Sequence, residues 1–204
     1  LMDFSESFAT RSTFFFMASR PGTYDDGYAV DSPLFHSLRD RIRARDHHMG
    51  WHPGFVAAED DAIFSEELER LSRALQTSEF GVRHHFLRWR AGYSWRRLAK
   101  HGRAFDASVG YNYCVGFRAQ TARPYSAYDL ETDTGLPLMV RPLIAMDGPL
   151  LRAETPMAQT LAVLRRRCIA VSGELSVLIH NYSPMNHPTL LASVRQGLDE
   201  KAVA

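Results

Sequence analysis

Eight residues share chemistry-bearing side chains and one kind of position. His52, Arg83, His85, Asp106, Arg118, Asp147, His180 and Asn181 stand in, or at the end of, short apolar runs. Imidazoles bind divalent metals and move protons near neutral pH. Carboxylates act as ligands or bases, and a guanidinium orients a carboxylate. Each residue alone also has a plain structural reading, as a hydrogen-bonded histidine or half of an ion pair. The pattern they form together carries the functional signal.

The elements that must position them follow from hydrophobic periodicity. Strands are expected at 13–17 (TFFFM), 48–52, 81–87, 105–109, 115–118, 138–146 and 175–179 (LSVLI). Helices are expected at 1–8, 33–45, 64–75, 93–101, 157–168 and 188–198, with Ser32 and Pro33 opening the second. Phe64, Leu68, Leu71 and Leu75 form an inward stripe. Stretches 22–27 and 125–135 read as loops. Alternating strands and helices imply parallel strands with helical crossovers. In a parallel barrel the strand ends form one rim, where an active site sits. Arg83 and His85, two apart in a strand, would share a face.

The chain of 204 residues, 45% hydrophobic, has the size and composition of one packed domain, taken as 1–204. With 24 basic and 23 acidic groups it is no polybasic binder, so nucleic acid is not expected as a partner. It has no apolar run of membrane-spanning length and no secretory leader, which points to a cytoplasmic protein. Cys114 and Cys168 are expected to be free thiols, without excluding one bridge. There is no nucleophile elbow, P-loop or dinucleotide fingerprint. Arg165–Arg167 reads as a solvated helix face.

Five segments, in order, resemble the polysaccharide deacetylase family, the carbohydrate esterases with a NodB-homology domain. They are LMDFSESFATRSTFFFMA, RDHHMGWHPGF, GVRHHFLRW, FDASVGYNYCVGFRAQTARPYSAYD and LSVLIHNY. The resemblance is closest to a bacterial subgroup found in surface-polysaccharide clusters. It implies an α/β fold, a distorted (β/α) barrel, with the first strand missing from this chain. Such a barrel usually needs about 250 residues. The resemblance also implies a divalent metal, commonly zinc, held by one Asp and two His. A second Asp activates water toward an N-acetyl carbonyl, and a His protonates the leaving amine.

Carried over residue by residue, His52 matches the first metal histidine. The second falls at Val56, which cannot bind metal, so His85 or His48 is left to replace it. His47 matches a non-ligand position. Arg83 matches the arginine that orients the base, and His180 the acid. Asn181 stands where the family often has Asp. The assigned roles are catalytic for His180, Arg83 and Asp106, and metal-binding for His52 and His85. Trp51, Arg118, Tyr125 and Asp147 are assigned to substrate. The family's Asp pair would precede Leu1. Thr23-Tyr24-Asp25-Asp26-Gly27 reads almost like that motif but follows the TFFF strand, so Asp25 and Asp26 are expected in a surface loop.

Two functions follow. One is a metal-dependent deacetylase acting on an amino-sugar glycan or its lipid- or nucleotide-linked precursor. The other is a catalytically inactive barrel that binds saccharide during polysaccharide assembly; Val56 and Asn181 favour it. The rim residues favour the enzyme. The identity of the sugar, acyl group, metal and oligomer is open at this level.

Overall fold

A computed structural model describes residues 1–199, which fall into two compact units. The first comprises Leu1–Ser108 and Ser126–Met139, the second Val109–Tyr125 and the described residues from Val140 to Asp199.

The first unit is built on the sheet order β1-β2-β3-β4-β6-β5. Its strands are β1 (Thr13–Phe16), β2 (His48–Trp51), β3 (Gly81–Val82), β4 (Phe105–Asp106), β5 (Tyr125–Asp129) and β6 (Thr134–Val140). From β1 to β4 the strands run parallel, with Phe16 beside Trp51 and Trp51 beside Val82. The helices are α1 (Met2–Glu6), α2 (Pro33–Ala44), α3 (Asp61–Leu75) and α4 (Tyr93–Lys100). Ser32 caps α2 by accepting the Phe35 N–H at 3.2 Å, with Pro33 in the first turn. The Asp60 carboxylate caps α3, accepting the N–H groups of Ala62 and Ile63 at 2.9 Å. The expected stripe of Phe64, Leu68, Leu71 and Leu75 is buried, and Phe64 meets the Trp51 ring at 4.6 Å. Gly81 lies under the Phe105 ring, where a Cβ would come within 2.1 Å of the ring, so only glycine lets β3 and β4 pack this way.

In the second unit a parallel pair, β7 (Ala145–Met146) and β8 (Val177–Leu178), is accompanied by α5 (Asp147–Arg152), α6 (Met157–Ala170), α7 (Ser183–Asn186) and α8 (Leu190–Leu198). Leu161, Leu164 and Cys168 of α6 and Leu190 and Val194 of α8 form its core. Gly197 brings α8 close to α6; a Cβ there would stand 2.7 Å from the Ala158 carbonyl oxygen. Cys114 and Cys168 are both free thiols.

Several expected elements differ. The 81–87 strand ends at Val82 and passes into a 3₁₀ turn, His85–Leu87, with Phe86 and Leu87 left-handed. Period-two spacing therefore does not relate Arg83 to His85. Residues 115–118 form no strand, and 138–146 splits between β6 and β7. The 125–135 loop is largely strand, joined to β6 through a turn in which the Asp129 carboxylate accepts the Glu131 N–H at 3.1 Å and the Thr132 hydroxyl at 2.8 Å. Among the described residues no helix is long and apolar enough to cross a membrane.

Candidate functional site

The carboxyl ends of the parallel strands in the first unit carry its polar groups, as the general rule for open parallel sheets leads one to expect. The β2 strand hands over to His52-Pro53-Gly54-Phe55, and the His52 N–H continues the ladder to the Phe16 carbonyl at 2.8 Å. Beyond β3 come Arg83, His84 and His85, and beyond β4 Ala107 and Ser108.

His52 is fixed by its Nδ1, which donates to the Arg83 carbonyl at 2.5 Å. A carbonyl only accepts, so Nδ1 carries a proton. His85 is fixed in the same manner, its Nδ1 lying 2.7 Å from Asp25 Oδ1. The two imidazole rings stand 5.0 Å apart. A carboxylate or carbonyl behind Nδ1 is the usual support for a histidine that works through Nε2, as ligand or as base.

Asp25 corrects the surface-loop expectation. It is buried, and both carboxylate oxygens accept the Phe55 N–H at 3.0 Å. Asp26 is exposed, as expected. Beside Asp25 lies a second buried carboxylate, Glu67, which accepts the Gly54 N–H at 2.8 Å. Burial pushes the Glu67 carboxyl up to about 7; the Gly54 N–H opposes this and the Asp25 charge adds to it. Gly54 fits between the two. A Cβ there would stand 2.7 Å from Asp25 Oδ2 and 2.8 Å from Glu67 Oε1.

In the first unit three expected roles change. Trp51 is fully buried in the core against Phe64, where no substrate reaches it. Asp106 is wholly buried, accepting Trp95 Nε1 at 3.0 Å, the Ser108 N–H at 3.0 Å and the Ser108 hydroxyl at 2.5 Å. Burial raises its pKa against those donors, and it anchors the end of β4 instead of meeting a substrate. The neighbouring His84, buried with its Nδ1 3.1 Å from Ser108 Oγ, is pushed down to about 3 by burial. Arg83 is buried too, donating from Nε to the Ala107 carbonyl at 3.0 Å, its guanidinium 4.5 Å over the Phe15 ring. Burial pushes it down to about 10, with the Asp106 charge opposing.

His48 opens β2 while His52 follows its end, so four residues of extended chain, about 13 Å, separate them. His48 is exposed. His47 bridges Ser12 N–H at 3.0 Å and Glu6 at 3.1 Å, a structural role. Val56 is exposed in a 3₁₀ turn, Val56–Ala58.

The second unit holds its own histidine and carboxylate. Asp147 is buried, accepting the His180 N–H at 2.7 Å through Oδ2, with Oδ1 2.7 Å from His180 Nδ1. Its burial opposes ionisation, yet the His180 and Ser183 hydrogen bonds outweigh that and hold the carboxyl below its usual range. Asp147 thus orients His180 and does not present itself to a substrate. The His180 ring is partly exposed and stacks on Tyr182 at 5.2 Å. Arg118 is exposed and donates to the Gly110 carbonyl at 2.8 Å. Tyr125 is half-buried at the first position of β5.

His52 and His85, each held at Nδ1, have the donor chemistry of two zinc ligands. Among the described residues no group of three or more His, Cys, Asp or Glu side chains is arranged to hold a metal. Asp25, Glu67, Tyr24 and Phe86 are the residues sequence reasoning missed here. The Thr23–Gly27 similarity is the available signal for Asp25.

Comparison with known proteins finds no matching family model, no matching curated protein and no matching solved structure.

Proposed function

We propose that the chain is a metal-dependent hydrolase of the polysaccharide deacetylase type, with a distorted (β/α) barrel as its fold. It removes an N-acetyl or similar acyl group from an amino sugar of a surface polysaccharide or its precursor. The observation that carries the reading is the pair of anchored imidazoles, His52 on the Arg83 carbonyl and His85 on Asp25, at the carboxyl ends of parallel strands.

In this reading His52 and His85 would hold the divalent cation. When bound, such a cation polarises an acyl carbonyl and lowers the pKa of water, which an unreactive amide requires at neutral pH. Asp25 fixes the orientation of the His85 ring.

The second reading is a saccharide-binding protein without catalysis. Exposed, aliphatic Val56 at the position of the family's second histidine favours it. The two separate on one assay: acetate release from N-acetylated chito-oligomers, with zinc and with a chelator. Zinc-dependent release supports the hydrolase. Saccharide binding with no acetate under either condition supports the second reading and overturns the first.

A further inference from the structure

Three aromatic rings cluster beside the Asp25–His85 pair. Tyr24 precedes Asp25, and Phe86 follows His85. Tyr24 lies against Phe55 at 4.1 Å between ring centres, and Phe86 meets both rings edge-on at 5.8 and 6.1 Å. The His85 ring tilts onto Phe86 at 4.4 Å. Tyr24 and Phe86 are nevertheless 54% and 53% exposed. Rings of this size usually bury their faces, because that is where their favourable transfer energy lies.

The backbone adds a second observation. Phe86 and Leu87 are both left-handed, at φ 54° and 52°, a conformation unfavourable for residues with a Cβ. Leu87 gains burial from it, whereas Phe86 is lifted into solvent. Strain at a polar cluster is a pointer to function.

The surroundings select the ligand. Arg88 lies 4.1 Å over the Phe55 ring but is paired with Glu59 at 2.7 Å and donates to the Phe55 carbonyl at 2.7 Å. The Asp25 carboxylate is engaged in hydrogen bonds with His85 and the Phe55 N–H. The Arg88 cation is thus already paired and the Asp25 oxygens are engaged, so an anionic ligand gains little from Arg88. A small apolar surface with polar groups at its edge suits a neutral ring with one C–H face and a rim of hydroxyls. We infer that the exposed rings of Tyr24 and Phe86, supported by Phe55, form a platform on which a pyranose ring stacks its C–H face beside the Asp25–His85 pair. This deepens the proposed function and rests on it for which bond reacts, though not for the binding itself.

The test is titration calorimetry of the whole chain with tri-N-acetylchitotriose, comparing wild type with Tyr24→Ala, Phe86→Ala and Tyr24→Phe. The alanine variants are expected to bind about tenfold more weakly, the size of one lost aromatic stack. Tyr24→Phe, which keeps the ring, is expected to stay within about twofold of wild type. Tyr24 stands in an exposed loop, so its variant carries the test even where Phe86→Ala fails to fold. No binding by wild type, or equal affinity in Tyr24→Ala, overturns the platform. Ring-dependent binding without acetate release supports the platform and overturns the hydrolase. Acetate release with an unchanged KM in Tyr24→Ala does the reverse.

Discussion

Replacing Glu67 by glutamine removes a charge that the folded chain has to keep dry. Glu67 is 5% exposed, and burial pushes its carboxyl from 4.5 up to about 7. The folded state therefore binds this proton more tightly than the unfolded state. As pH rises from about 4.5 to 7 the unfolded chain ionises first, and stability falls; above 7 both states are ionised and the loss is complete. A rise of that size corresponds to about 3 kcal/mol, at about 1.36 kcal/mol per pH unit. For a chain of this size that is a shift of about 6–12 °C in Tm. In Glu67→Gln the amide keeps a carbonyl oxygen to accept the Gly54 N–H and has nothing to ionise. Urea denaturation at pH 5, 6, 7 and 8 and constant ionic strength measures the effect. Trp51, Trp89 and Trp95 all lie in the first unit, so tryptophan fluorescence reports on it. The variant is expected to approach wild type near pH 5 and to exceed it by about 3 kcal/mol at pH 8. Parallel wild-type and variant stabilities from pH 5 to 8 would refute the reasoning.

Three further outcomes follow from contacts in each unit. Gly54→Ala places a Cβ against Asp25, Ser19 and Glu67 and is expected to destabilise by about 1–3 kcal/mol, read as a lower urea midpoint. Ser108→Ala takes two hydrogen bonds to side chains, one from His84 and one to Asp106, out of a buried network; a loss of about 1–3 kcal/mol is expected in the same assay. Asp147→Asn weakens the hold on His180 by about 1–3 kcal/mol at pH 7, measured by thermal melts followed by circular dichroism. Because the Asp147 carboxyl is held below its usual range, its contribution is present above about pH 4 and is lost as pH falls through its folded value. The gap between wild type and variant therefore closes on acidification.

Where local pattern and tertiary role agree, the sequence is readable. TFFF announces β1, and the Phe64–Leu75 stripe announces α3, because burial on a strand or a helix face imposes a period. Residues 81–87 mislead because the charges after Val82 belong to a turn with two left-handed residues, a geometry that neither Phe nor Leu signals. The strand at Tyr125–Asp129 is legible in principle: Ala127 and Asp129 are buried and alternate with exposed Ser126 and Tyr128. Polar composition masks that alternation. At the site, His52 and His85 stand out by residue type, and Asp147 and His180 fall together as a pair. Asp25 does not stand out, because its burial depends on Phe55 and His85, 30 and 60 residues away. Trp51 and Asp106 show the opposite error. A strand-end position does not tell an inward side chain from one facing the rim, and both face inward.

The account turns on whether His52 and His85 share a cation. Metal content of the purified chain, after saturation with zinc and removal of the excess, measures this directly for wild type, His52→Ala and His85→Ala. About one zinc per chain in wild type, with loss in both variants that remain folded by circular dichroism, is the predicted result. No retained zinc in wild type, or equal zinc in wild type and His85→Ala, would contradict it.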